Sequence, residues 1–352
     1  MQKKALITGV AGQDGTYLSE FLINKGYEVH GIISSYESSD FIRHRDLLKD
    51  VTLHPLDITI QEGIWNCIRK NQFDEIYNLA SLSSPALSFQ NPGKAFEVNS
   101  NSVLYMLEAI RRESPQTKFY QASSSELFGG IPNDVPQNEK TIFHPRSPYG
   151  VSKLSAHWLA VNYREAYGLK CCAGILFNHE SHRRQGKFVT RKICDWINAY
   201  RKGDNTPLVL GNMNAKRDWG HADDFIRAMW MMMNPEDNWK GKSEPVFDEY
   251  VVGTGESISI KKFIEKGLNL IGKSVSWEKD SDILYHHDSI DEVIPVEKGV
   301  DESGNTIIKV SSEYWRPAEV VEVRANAEKI KKTLGWEPKL KIDDIIKEMI
   351  EN

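Results

Sequence analysis

Cysteine is scarce. The 352 residues hold four, Cys67, Cys171, Cys172 and Cys194, with no CxxC pair and no metal-ligand spacing, which excludes a disulfide framework and points to a chain with no metal. Two of the four are neighbours in an apolar strand, so reduced, buried thiols of a cytoplasmic protein are expected. A long apolar run is also missing. The longest, AMWMMM at 228–233, falls short of the ~18 residues of a membrane span and is flanked by charge and proline, so no membrane partner is expected. The opening MQKKALITGV passes from two lysines into a strand-like run too short for a signal-peptide core, and the mature chain is expected to start there. Nor does one sign of charge dominate. Lys and Arg number 44 against 49 Asp and Glu, a formal net charge of −5 that gives no reason to expect nucleic acid.

What is present is ordinary globular usage, 40% hydrophobic and 26% charged, without repeats or low-complexity tracts. A chain of 352 residues exceeds the roughly 250–300 at which one core stops growing, so a large and a smaller domain are expected. Up to about residue 176, β-rich runs (KALIT, YEVHGII, VTLHPLD, EIYNLA, KFYQASS, KCCAGILF) alternate with helix-periodic segments such as TYLSEFLINKG and VLYMLEAI. Near-continuous apolar strands joined through helices specify an α/β fold, a Rossmann-type doubly wound parallel sheet. Residues 1–180 form the expected dinucleotide-binding domain. Residues 181–352 form mainly a smaller α/β lobe, framed by FVTRKICDWINAYR, ADDFIRAMWMMM, ISIKKFIEKGLNLIG and KIDDIIKEMI, with a stretch around 212–230 returning to the first domain.

LITGVAGQDGTYL follows the first strand and opens the first helix, spacing Gly9, Gly12 and Gly15 as GxxGxxG. Glycines there permit a tight turn, close approach of a pyrophosphate and helix-on-strand packing, with the helix N-terminus facing the anion. At the end of the second strand, where an acid marks NAD and an Arg marks NADP, the chain reads GIISSYESSD. Ser34 and Ser35 occupy the spot, Glu37 lies slightly late, and Arg43 and Arg45 come further on; NAD is favoured, with NADP open if an arginine folds back. Asp57 ends the third strand, either meeting the adenine or capping a helix.

SPYGVSK sets Tyr149 and Lys153 four residues apart on one face of a helix running to about Tyr167. A lysine ammonium beside a phenol favours the phenolate, which predicts a lowered Tyr149 pKa suited to accepting a hydroxyl proton. Taken with the glycine turn and the serines of QASSSELFGG, this resembles the extended short-chain dehydrogenase/reductase superfamily. Within it the chain is similar to the GDP-mannose 4,6-dehydratase family along nearly its whole length, through GQDGTYLSEFLINKGYEVHGI, YQASSSELFG, HPRSPYGVSKL, NYREAYGL, GILFNHES, FVTRKI, LGNMNAKRDWGHADDF and YWRPAEV.

The resemblance implies a lyase that removes water from a GDP-sugar using NAD or NADP, and a homo-oligomer, dimer or tetramer. It implies Ser124, Glu126, Tyr149 and Lys153 for chemistry, with Glu126 as base for the sugar C5 proton. Beside the glycines, Gln13, Asp14, Ser34, Arg43, Asp57, Ile58, Leu79, Ala80 and His179 are the implied cofactor contacts, together with Tyr149 and Lys153. For the GDP-sugar they are Ser83, Ser84, Asn178, Val189, Lys192, Gly211, Lys216, Arg217, Arg316 and Glu319. The chain departs from the family at Ser34 and Ser35, where paired arginines are usual. It also departs at NLASLSSPALSF, where smaller side chains leave room for a sugar bulkier at C6 than mannose, as in GDP-D-glycero-α-D-manno-heptose. At Phe128 a family Tyr is replaced, removing a hydroxyl near the site. A nucleotide-sugar epimerase and a non-catalytic dinucleotide sensor are the competing readings. Glu126 tells against the first, and the intact Ser124, Tyr149 and Lys153 set against the second.

Overall fold

The alternating apolar runs become strands wherever they can be covered from both sides. The computed structural model describes residues 2–131, 134–186, 188–241, 243–286, 293–314 and 320–352. Its first half runs β1 (Lys4–Thr8), α1 (Gln13–Asn24), β2 (Glu28–Ile33), α2 (Ser39–His44), β3 (Thr52–Pro55), α3 (Gln61–Asn71), β4 (Glu75–Asn78), α4 (Pro85–Gln90), α5 (Pro92–Phe96), α6 (Ser102–Glu113), β5 (Lys118–Ser124), α7 (Pro148–Tyr167) and β6 (Cys171–Leu176). The second half runs β7 (Asn178–Glu180), α8 (Val189–Arg201), β8 (Leu208–Leu210), β9 (Lys216–His221), α9 (Ala222–Met233), α10 (Pro235–Asn238), β10 (Glu249–Val252), β11 (Ser257–Ser259), α11 (Ile260–Leu270), β12 (Ser276–His286), β13 (Val293–Val300), β14 (Thr306–Val310), β15 (Glu322–Val323), α12 (Glu328–Leu334) and α13 (Ile342–Glu351).

Seven strands form one parallel sheet in the order β10-β6-β5-β4-β1-β2-β3. The order reverses between β1 and β4, which opens a crevice at their C-terminal ends, the place where open α/β sheets bind ligands. One face is covered by α1 and α9, with Leu18, Leu22, Phe225, Met229, Met232 and Met233 buried against Tyr77, Tyr120 and Val252. The methionine-rich run at 228–233 is therefore a core helix. The other face carries Ile64, Ile68, Val103, Met106, Ile110 and Ala156 from α3, α6 and α7. Segments from beyond residue 180 thus join the first sheet: β10 at its edge, α9 on its face, and α12 through Ile330 and Leu334.

The smaller lobe has its own core, with Ile193, Ile197, Phe263, Leu268, Ile308, Ile345 and Met349 packed together. It is built on two short sheets, one around β9 with β7, β11 and β15, the other in the order β12-β13-β14-β8. Among the described residues no helix is long and apolar enough to cross a membrane.

Candidate active site

The glycine turn is built by close approach. Gly9 has φ +67°, and a Cβ there would lie 2.9 Å from Ala80 Cα. A Cβ on Gly15 would lie 2.5 Å from Gly9 O and from Val10 Cα, so helix and strand touch through glycine. Gly12 N-caps α1 with no side-chain cap, which leaves the first-turn N–H groups to an outside acceptor. These groups line a cleft together with Gln13, Asp14, Ser34, Asp57, Ile58, Leu79 and Ala80, and the donor set fits a dinucleotide pyrophosphate. Asp57 Oδ1 accepts from Thr59 N at 2.8 Å and Thr59 Oγ1 at 2.7 Å. Ile60, not Asp57, is the N-cap of α3.

Asp14 would add an anion to an anion site, but it is matched. His179 Nε2 lies 2.8 Å from its Oδ2, and His179 Nδ1 lies 2.8 Å from the Phe177 carbonyl. Carbonyl and carboxylate oxygens only accept, so both ring nitrogens donate and the imidazole is protonated. Burial opposes the Asp14 charge, yet pairing with His179 and a hydrogen bond from Gln13 bring its pKa down to about 2. Burial likewise opposes the His179 charge, and Asp14 outweighs it and raises the pKa. Gln13 Nε2 donates to His179 O at 3.1 Å and Ser181 Oγ to Gln13 Oε1 at 2.9 Å, fastening α1 to β7.

A second cleft adjoins the first, and Asp14, Leu79, Ser81, Ser83, Arg184 and Phe188 line both. Strand β5 ends at Ser124, whose Oγ accepts from Glu126 N at 3.2 Å and starts a short 3-10 turn over Ser125–Leu127. That turn projects Glu126 into the cleft. Opposite, Ser147 caps α7 by accepting from Gly150 N at 3.1 Å, and Pro148 takes the first helical position. A Cβ at Gly150 would lie 3.0 Å from Glu126 O, so this glycine lets α7 close on the turn. Ser124, Glu126, Tyr149 and Lys153 thereby share one cleft with Ser83, Ser84, Asn178, His179, Val189, Lys192, Gly211 and Arg217.

Tyr149 corrects the pKa expectation. Burial pushes its phenol up to about 12, against the favourable Ser124 and Ser81 hydroxyls, with Glu126 pushing the same way as burial. Lys153 does not offset this, because its Nζ donates to Ala122 O at 2.6 Å and burial pushes its own pKa down to about 8.

Other expected residues separate. Arg43 on α2 and Glu37 in the turn before it are both exposed and outside the dinucleotide cleft. Lys216 is not among the residues lining either cleft; it is exposed and pairs with Glu322 at 3.4 Å. Arg316 and Glu319 lie outside the described residues. Phe128 is core, packed on Phe143, Ile175 and Phe177, and is not among the residues lining either cleft. Lys192 Nζ donates to Val209 O at 2.7 Å and sits 4.2 Å from the Tyr314 ring centroid. Arg217 Nη1 donates to Val320 O at 2.9 Å. Among the described residues no cluster of three His, Cys, Asp or Glu suits a metal ion.

Sequence reading missed several neighbours. Arg184 bridges the two clefts and pairs with Glu180 at 2.9 Å; the basic pair Arg183 and Arg184 just after NHES was its signal. Asn99 accepts from Leu82 N at 2.8 Å and donates to Ser152 Oγ at 3.0 Å, tying the 81–83 loop to α7, with no signal in the sequence. His157, its pKa pushed down to about 4 by burial, hydrogen-bonds Ser123 beside Ser124 at 3.0 Å.

Known proteins match this arrangement. A sequence model of the family described as GDP-mannose 4,6 dehydratase matches residues 6–349. GDP-mannose 4,6-dehydratase of Yersinia enterocolitica is 40% identical, with 99% of this chain and 93% of that protein covered. GDP-mannose 4,6 dehydratase 2 of Arabidopsis thaliana is 41% identical, covering 99% of this chain and 86% of that protein. UDP-glucose 4-epimerase of Thermotoga maritima, solved with UDP-glucose, superposes with TM-score 0.78 at 21% identity, covering 99% of this chain and 97% of that one. RMD from Pseudomonas aeruginosa, complexed with NADPH, superposes with TM-score 0.72 at 18% identity, covering 99% and 98%. These two structures are alike in fold. Matched from residue 6 to 349 by the family's model and 40% identical to a relative over 99% of its length, the chain belongs to the GDP-mannose 4,6-dehydratase family.

Proposed function

We propose that this chain is a GDP-sugar 4,6-dehydratase. It takes a manno-configured sugar, GDP-mannose or GDP-D-glycero-α-D-manno-heptose, to its 4-keto-6-deoxy product, using a nicotinamide dinucleotide, NAD in preference to NADP. The observation that carries the reading is Glu126 in one cleft with Ser124 and Tyr149. The dinucleotide supplies a hydride acceptor and donor, and the remaining work falls to the chain. Tyr149 takes the sugar O4 proton while Ser124 hydrogen-bonds that oxygen. Because burial holds the phenol protonated, its deprotonation is coupled to cofactor binding: the positive charge of an oxidised nicotinamide would favour the phenolate, with the phenol proton released to solvent. A ketone at C4 acidifies C5–H, and Glu126 removes that proton and delivers it to the C6 hydroxyl as it leaves as water; the hydride taken from C4 would return to C6, and the proton held by Tyr149 goes to C5, which completes the 4-keto-6-deoxy sugar and restores the phenolate. Arg184, Lys192 and Arg217 supply cations for the diphosphate end. The wall formed by Ser83, Ser84, Pro85 and Ala86 is made of small side chains, which favours a substituent beyond C6.

A homo-oligomer, dimer or tetramer, is part of the proposal. Helices α6 and α7 turn Leu104, Val151 and Trp158 outward, with Trp158 54% exposed, and a second copy would cover this apolar face. Four free, buried thiols suit a cytoplasmic setting. Incubation with a panel of GDP-sugars, read by mass spectrometry for loss of one water, tests the function. If no manno-configured GDP-sugar is dehydrated, the proposal fails.

A further inference from the structure

The dinucleotide cleft carries an acid, Asp40, at the strand end where the sequence set Ser34 and Ser35 with Glu37 slightly late. At the C-terminal end of β2 its lining passes through Ser34, Ser38 and Asp40 to Gln185. In a doubly wound sheet this end of the second strand meets the adenosine ribose. Asp40 enters the rim because Ser38 caps α2, accepting from Phe41 N at 3.3 Å, and so turns the first helical residues towards the cleft. Gln185 Nε2 donates to Asp40 Oδ1, and no other protein donor meets this carboxylate among the described residues. The described cations of the cleft are Lys94 and Arg184, neither on the β2 to α2 segment. Arg43 and Arg45 do not line it, and Arg45 pairs with Asp46 at 3.7 Å.

We infer that Asp40 makes this cleft select a dinucleotide with a free ribose 2′-hydroxyl and reject one with a 2′-phosphate. A hydroxyl there donates to the carboxylate, whereas a phosphate of about −1.5 to −2 charge meets a like charge, with no lysine or arginine of the β2 to α2 segment lining the cleft to offset it. Gln185 is the positioning residue, holding the carboxylate by its other oxygen. The inference rests on the cofactor reading above and sharpens it to one side chain.

Calorimetric titration of the nucleotide-free full chain with NAD and with NADP tests it without relying on turnover. The wild-type chain is expected to bind NAD at least ~10-fold more tightly than NADP. Asp40→Asn should weaken NAD, strengthen NADP and shrink the ratio about tenfold, and Gln185→Ala should move it the same way by less. Circular dichroism and melting temperature check that both variants fold. An NAD/NADP ratio unchanged in Asp40→Asn, or equal affinities in the wild type, overturns the role of Asp40 while leaving the dinucleotide reading standing. If neither nucleotide binds the wild-type chain, the cofactor reading falls and the inference with it.

Discussion

Replacing Asp14 by Asn isolates the charge pair that lies between the two clefts. Asp14 Oδ2 is 2.8 Å from His179 Nε2, and the histidine's other nitrogen is fixed on Phe177 O, so the pair is ionic. A carboxyl lowered from 3.8 to about 2 contributes roughly 2 kcal/mol of stability at neutral pH. With 23% of the side chain accessible, solvent screening makes that an upper figure. The depressed Asp14 pKa gives a contribution complete above the unfolded value of 3.8 and lost as pH falls through about 2. The raised His179 pKa gives one complete below 6.5 and lost as pH rises through the folded value. The pair therefore stabilises most between those limits. Asn keeps one acceptor but no charge, and His179 can shed its proton, so the loss stays below the ~3–5 kcal/mol of a stranded buried ion. Urea unfolding by tryptophan fluorescence should show Asp14→Asn less stable by about 1–2 kcal/mol near pH 5, with the gap closing towards pH 2. A gap under about 0.5 kcal/mol at pH 5, or one independent of pH, would refute the ionic reading.

Glu126→Gln should lower kcat for dehydration by roughly 10²–10⁴ while dinucleotide binding, followed by calorimetry, stays unchanged. Lys153, depressed from 10.5 to about 8 by burial, should make wild-type stability rise between those pH values. Lys153→Met should abolish that slope, worth up to about 3 kcal/mol, in unfolding titrations at the two ends. Gly15→Ala places a methyl 2.5 Å from backbone that cannot yield, and is expected to cost about 1–3 kcal/mol and to weaken dinucleotide affinity. Trp158→Glu should move the chain to a smaller species in light scattering if α7 faces a second copy; an unchanged mass counts against that face.

The strands show what period and apolarity can fix. KALIT and KFYQASS fold as β1 and β5, because a sheet covered on both faces demands near-continuous apolar runs. The glycine turn and the Ser124, Glu126 and Tyr149 set were equally legible, since local backbone rules hold them at strand ends and helix starts. The edge strand β10 was not read, being short and paired with β6 far back in the chain. Nor were Asn99, His157 and Arg184, whose work depends on partners from other elements.

The amino-acid order by itself determined which residue types stand at each turn, and hence the family and its chemistry. Tertiary structure decided the environment of each group. Burial reversed the expected direction for Tyr149 by taking the phenol out of water while Lys153 turned to Ala122. Packing drew Phe128 into the core, and the fold of α2 made Asp40 rather than Glu37 the acid at the β2 end of the cleft. The physical reason is common to all three: charge and polarity act through distance and solvent access, which depend on what the rest of the chain places alongside.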